Sequence, residues 1–166
     1  MAKSGLLGII IPKKYGGTGG DYKMYINAVR EFSSYCATTG AILSAHVSLC
    51  TAPIIELGTE EQKQKYLPKL ASGEWLGAFG LTEPNAGTNS FAMTTLATPN
   101  TDGGWTLNGQ KVFISGVEDA DAVLVIARFR REDGELGLPC LCIVDVDAPG
   151  FRRDVIPMPY LGADKQ

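Results

Sequence analysis

The chain lacks any excess of positive charge: 15 lysines and arginines stand against 18 acidic residues, leaving a formal charge of -3 at neutral pH. No basic field is therefore available to draw in nucleic acid or an anionic membrane, and neither is expected as a partner. Histidine is nearly absent, with His46 the single example, and Cys36, Cys50, Cys140 and Cys142 show no Cys-x-x-Cys spacing. A zinc site is excluded on those grounds, no metal is expected, and reduced thiols are the expectation. No uninterrupted apolar run approaches the ~20 residues of a membrane span. The residues after Met1-Ala2-Lys3-Ser4 lack the small-residue cleavage site of a secretory signal. A cytoplasmic protein is expected, although an organellar one without its leader would read the same. No internal repeat or low-complexity tract interrupts the chain.

What is present describes an ordinary globular protein, 45% hydrophobic and 20% charged over 166 residues. That length accommodates one domain or two small ones and buries roughly 70% of the unfolded surface.

The first half reads as helical. An apolar segment, Leu6 to Ile11, breaks at Pro12 and the glycines Gly16, Gly17, Gly19 and Gly20, a pattern that fits a flexible connector. Asp21 can cap a helix whose apolar positions Tyr22, Tyr25, Ile26, Val29, Phe32 and Cys36 recur every three or four residues. A second helix carries Ile42, Leu43, His46, Val47, Leu49 and Cys50, and Pro53 should kink or restart it. His46 is read as a core residue, because no carboxylate follows at helical spacing to orient it as a base. Thr59 and Gln62 form a capping box for a third helix, with Glu60 and Glu61 at its positive end and Lys63, Lys65 and Lys69 toward the other. Ser72-Gly73 ends the helical half.

Beyond Gly73 the periodicity alternates, as strands require. Asn108-Gly109 lies between Trp105-Thr106-Leu107 and Lys111-Val112-Phe113-Ile114, which predicts a type I′ hairpin. Ala122 to Phe129 reads as a strand covered on both faces, Arg130 to Gly137 as a charged turn, and Leu141 to Val146 as another strand. A weaker strand after Pro149-Gly150 fades through Pro157 and Pro159. The expected fold is α+β: a partial helical domain over residues 1-73, then an antiparallel, barrel-like or sandwich-like β domain over 74-166. The two are expected to pack against each other, since so small a helical half has little core of its own.

The most informative stretch runs from Gly77 to Asn89. Gly77 to Leu81 is small and apolar, suited to a buried strand, and Thr82-Glu83-Pro84 stops the ladder because proline has no N-H to donate. Asn85, Gly87, Thr88 and Asn89 then combine a freely turning backbone with amides and hydroxyls, as close approach to a polar or phosphorylated ligand requires. The same composition also fits an ordinary turn.

Leu-Thr-Glu-Pro-Asn-Ala-Gly-Thr-Asn, residues 81-89, resembles the flavin loop of the acyl-CoA dehydrogenase family, usually Leu-Thr-Glu-Pro-x-Ala-Gly-Ser-Asp. Three further stretches match in the family's order: Ile11-Pro12-Lys13-Lys14-Tyr15-Gly16-Gly17, Gly58-Thr59-Glu60-Glu61-Gln62-Lys63, and Leu107-Asn108-Gly109-Gln110-Lys111-Val112-Phe113-Ile114-Ser115. The third-helix and loop stretches are most similar to the short-chain, butyryl-CoA branch. The resemblance implies FAD as cofactor, with Phe79, Leu81, Thr82, Gly87, Thr88, Phe113, Ile114 and Ser115 around it. In that family the backbone N-H groups near Leu81 and the Thr82 hydroxyl face the flavin pyrimidine. Phe113 stands where many members have tryptophan, against the ring. Ser115 stands where many have threonine, close to N5. Gly87 and Thr88 correspond to the residues touching the flavin diphosphate, and Thr88 also to a contact with the acyl-CoA chain. Thr88-Asn89 for Ser-Asp and Ser115-Gly116 for Thr-Asn depart from the usual pattern and bear on affinity and acyl preference. The alternative is that these are plain sheet and turn residues.

The implied reaction is α,β-dehydrogenation of an acyl-CoA thioester with hydride transfer to FAD, in a homotetramer that passes electrons to an electron-transfer flavoprotein. The family's catalytic carboxylate lies in a C-terminal helical domain that these residues do not include. No catalytic residue is therefore named: Glu83 is read as structural, and Glu118 and Asp119 as surface residues. The sequence reads as clipped at both ends, and inactive alone. A non-catalytic folded module and a related flavin oxidase or monooxygenase are the other readings.

Overall fold

The computed structural model describes residues 1-101, 103-131 and 133-156. Its helical part comprises α1 (Tyr22–Tyr35), α2 (Ala37–Ser44), a π-helical segment (Ala45–Thr51), α3 (Ala52–Leu57) and α4 (Glu60–Ser72). The expected caps form: the Asp21 carboxylate accepts from the Met24 N-H at 2.8 Å, and Thr59 and Gln62 exchange the reciprocal bonds of a capping box. Gly73, at φ 75°, ends α4 in the left-handed region where glycine carries no steric penalty.

Pro53, expected to kink or restart the second helix, does not interrupt it: it is the second residue of α3, which follows the π-helical segment directly. Its ring excludes the usual backbone bond, and the π-helical segment just ahead takes up the mismatch. The Thr51 hydroxyl donates to the His46 carbonyl at 2.7 Å, and the Ser48 hydroxyl to the Ser44 carbonyl at 2.8 Å. Because the π segment joins α2 to α3 without a break, Ala37–Leu57 is one helical run of 21 residues, long and apolar enough to cross a membrane by length and composition. That length exceeds the sequence expectation. In this fold Leu43, Val47, Cys50 and Ile54 of the run are buried in the protein core.

The strands are β1 (Gly77–Gly80), β2 (Leu96–Pro99), β3 (Trp105–Asn108), β4 (Ala122–Arg130) and β5 (Leu136–Asp145). Helices followed by strands is the expected order, but the strand directions need correction. β1 and β2 both run parallel to β4, while β3 is antiparallel to β2 and β5 to β4, giving one open mixed sheet. Alternation records which face a residue occupies and not which way its neighbour runs, so direction was not in the pattern.

β4 is the central strand. β5 follows one edge along its length, so β1, paired to Ala122 through Val125, and β2, paired to Arg128 and Phe129, share the opposite edge end to end. The chain leaves that edge after Gly80 and rejoins it at Leu96. Ala122 and Leu124 face a core shared with Ile11, Cys50, Ile54, Leu67 and Leu70, whereas Val123 and Val125 face a second core with Ala78, Ile114 and Val117. β4 is thus covered on both faces, and the helices and sheet share a core, both as expected.

The type I′ hairpin at Asn108-Gly109 does not form. Neither residue has the positive φ that turn requires, and residues 109-114 leave the sheet. Gly109 instead passes against Thr95, where an added Cβ would meet Thr95 Oγ1 at 2.3 Å. The hairpin is the one joining β2 to β3, closed by Asn100 N-H to the Gly104 carbonyl at 2.8 Å. Residues 146-156 form no strand, and Pro157 and Pro159 lie outside the described residues.

Candidate functional site

The excursion of residues 81-95 is closed at its neck by one carboxylate. Glu83 Oε2 accepts from the Thr94 N-H at 2.6 Å and its hydroxyl at 2.7 Å, and Oε1 accepts from the Thr95 N-H at 3.0 Å and its hydroxyl. Lys111 Nζ adds an ion pair to Oε1 at 2.7 Å and donates to the Leu81 carbonyl at 3.0 Å. Burial alone would push the Glu83 carboxyl up, but the lysine and the threonine donors outweigh it and hold it far below the usual carboxylate range. Glu83 is therefore structural, as the sequence suggested.

Within the excursion, Glu83 and Ala86 exchange backbone bonds at 3.0 and 3.1 Å around Pro84-Asn85. Gly87 and Thr88 follow on the exposed side, and an added Cβ at Gly87 would meet nothing within 4 Å.

The 109-115 segment returns beside this neck. The Val112 N-H donates to the Thr82 carbonyl at 2.9 Å, and Phe113 then adopts φ 59°, a left-handed conformation costing a bulky residue roughly 1–3 kcal/mol. The residue is 70% exposed. Such strain and exposure in an aromatic residue mark a surface shaped for something other than stability.

Phe79, Leu81, Thr82, Phe113, Ile114 and Ser115 line a single open cleft of about 210 Å³ with Ala45 and Leu49 of the π-helical segment. Six of the eight residues that the sequence singled out thus come together, while Gly87 and Thr88 lie farther along the loop, outside this lining. Enclosed small-molecule sites run ~300–1,000 Å³, so the cleft is a wall and not a complete pocket. Ala45 and Leu49 were missed because a π turn changes which helical residues share a face, and only Pro53 hinted at it. Lys111 lies in a family-like stretch, but a lone lysine there carries no sequence signal for a buried ion pair.

The comparisons with known proteins agree with this geometry. Residues 1–74 match the profile described as acyl-CoA dehydrogenase, N-terminal domain, and residues 78–164 match acyl-CoA dehydrogenase, middle domain. The chain belongs to the acyl-CoA dehydrogenase family. It is 51% identical over 151 residues to the short-chain specific acyl-CoA dehydrogenase of Clostridium acetobutylicum, covering 91% of this chain and 39% of that protein. A chain of the structure described as the electron transferring flavoprotein of Acidaminococcus fermentans superposes with a TM-score of 0.86 at 44% identity, over 95% of this chain and 41% of that one. The acyl-CoA dehydrogenase of Bacillus anthracis, complexed with FAD, gives 0.81 at 38% identity, over 90% and 24%. The chain thus spans about two-fifths of the length of the curated relative it matches.

Proposed function

We propose that the cleft is one wall of a flavin site in an enzyme that removes hydrogen from the α and β carbons of a short-chain acyl-CoA. The observation that carries this reading is the convergence of Phe79, Leu81 and Thr82 with Phe113, Ile114 and Ser115 in one cleft of a family member.

The residues present suit FAD. A flavin needs an apolar surface, donors for its polar edge and exclusion of water. Phe79, Leu81, Phe113 and Ile114 offer the surface, and among the described residues the Thr82 and Ser115 hydroxyls have no protein partner. When bound, FAD supplies the acceptor for a hydride. In this proposal the Leu81 N-H and the Thr82 hydroxyl would hold the pyrimidine edge, and the Ser115 hydroxyl would donate to the flavin near N5. Phe113 covers the ring and keeps water from it. Gly87 and Thr88 would hold the diphosphate, with Thr88 also touching the acyl-CoA, and the open space at Gly87 permits close backbone approach. Among the described residues no acidic side chain lines the cleft, and Glu83 is occupied at the loop neck, so the base that takes the α proton is not assigned to any of them.

The same proposal places the helical part at 1-73 and the β part at 74-166, with acyl-CoA as substrate, an electron-transfer flavoprotein as acceptor, a homotetramer as the assembly and the cytoplasm as its location. The likeness to the structure described as the electron transferring flavoprotein of Acidaminococcus fermentans supports the acceptor.

Titrating FAD with the 166-residue chain tests the reading. Saturable quenching of flavin fluorescence, abolished in Phe113→Ala with Ser115→Ala, is the expected result. Unchanged fluorescence at all protein concentrations would overturn it.

A further inference from the structure

We propose that Lys111 is a positioning residue for the flavin site: its buried ammonium group locks the 111-115 segment against the end of β1, setting Phe113 and Ser115 opposite Thr82. This rests on the flavin reading above.

Among the described residues, three hydrogen bonds join residues 81-83 to residues 111-115, and Lys111 makes two of them. They are Nζ to the Leu81 carbonyl at 3.0 Å, Nζ to Glu83 Oε1 at 2.7 Å, and the Val112 N-H to the Thr82 carbonyl at 2.9 Å. The Lys111 and Glu83 side chains are only 9% and 1% exposed, so solvent does little to screen the pair. The lysine stem packs against Gly80 at the end of β1, where an added Cβ would stand 3.3 Å from Lys111 Cγ. Its head thus fixes the strand end, the loop neck and the returning segment at one point.

Position in sequence makes this more than a stabilising pair. Leu81 and Thr82, on one side of the junction, and Phe113 to Ser115, on the other, are all cleft-lining residues. Phe113 sits two residues beyond the lysine in a left-handed conformation that the chain holds only if its flanks are fixed. With the ammonium removed, a single backbone bond would hold the two sides together. Glu83 would still close the loop neck through Thr94 and Thr95, so the loop would persist while its distance from residues 113-115 was no longer set.

A purely structural role and a positioning role separate in a set of variants. Lys111→Met keeps the stem and leaves the Glu83 charge buried without its partner, so both melting temperature and FAD affinity should fall. Adding Glu83→Gln removes the stranded charge and should raise the melting temperature to at least that of Glu83→Gln alone, in which the buried lysine is left without its counter-ion. The double variant should nevertheless bind FAD at least tenfold more weakly than Glu83→Gln, measured by flavin fluorescence. Thr95→Val, outside the cleft lining, should lower the melting temperature yet leave FAD affinity within about twofold, showing that affinity does not simply follow stability. A double variant that binds FAD as tightly as Glu83→Gln would overturn the positioning role. If Lys111→Met and its double do not fold, Lys111→Arg decides: its longer, planar head should keep the ion pair and the fold but move residues 113-115, so FAD should bind at least tenfold more weakly, and affinity unchanged within about twofold would overturn the role. Absence of FAD binding by the unsubstituted chain would strike the proposed function itself, a distinguishable failure.

Discussion

The Gly77 N-H donates to Nδ1 of His46 at 3.1 Å, joining the first residue of β1 to the π-helical segment that lines the cleft. Because Nδ1 accepts, the ring proton must lie on Nε2, where it donates to the Leu70 carbonyl at 3.1 Å. The geometry requires a neutral imidazole, and a second proton would set two donors against each other.

Burial accordingly lowers the His46 pKa below its ordinary 6.5, with the Leu70 carbonyl opposing only part of the shift. The unfolded chain takes up this proton at higher pH than the folded one. Stability from the neutral ring is therefore complete above about pH 6.5 and is lost as pH falls from there toward the folded pKa. Urea unfolding between pH 8 and pH 5 should show this loss, and His46→Gln should flatten it. Equal slopes in the two proteins would contradict the assignment.

Gly77→Ala tests the close approach on which the same junction depends. An added Cβ would lie 2.5 Å from Cys50 Sγ and 2.9 Å from Cys50 Cβ. Since Cys50 is fully buried, the π-helical segment must shift. A loss of about 1–3 kcal/mol in urea unfolding is expected from such overpacking. A neutral substitution would mean that β1 and the helix have room to spare.

Local signals carried the helical half well. Asp21, Thr59-Gln62 and Gly73 are residues whose caps follow from a few neighbours, and each cap forms as expected. Six cleft residues were also legible, because they lie in two short stretches whose pairing the family resemblance implied. Asn108-Gly109 misled: its sequence has the hairpin signal, but Thr95 needs the space that only a glycine leaves, and tertiary packing overrode the local preference. Lys111 and Leu49 escaped for a related reason. Their roles depend on a parallel sheet and a π turn, neither of which leaves a periodic mark.

The capping box should contribute measurably. Thr59→Ala removes the hydroxyl that accepts from the Gln62 N-H at 3.2 Å. A loss of about 1 kcal/mol is expected by chemical denaturation. No change would indicate that the end of α4 is held by packing alone.

The four thiols should differ in reactivity. Cys36 is exposed, and hydrogen bonds from Thr39 hold its pKa below the ordinary 9.0. Burial pushes Cys50 up to about 12. Burial together with the neighbouring Cys140 does the same for Cys142, to about 12. With an aromatic disulfide at pH 8, Cys36 should give the fast phase, removed by Cys36→Ser, and Cys50 should react only on unfolding. A fast phase that survives Cys36→Ser would contradict this order.

Amide NMR of the chain during FAD titration reaches the main claim most directly, since it reports where the ligand sits residue by residue. Signals from Phe79 to Thr82 and from Phe113 to Ser115 should move together and saturate at one FAD per chain. Saturable shifts confined to other surfaces, or movement of only one of the two segments, would contradict a flavin wall built from both.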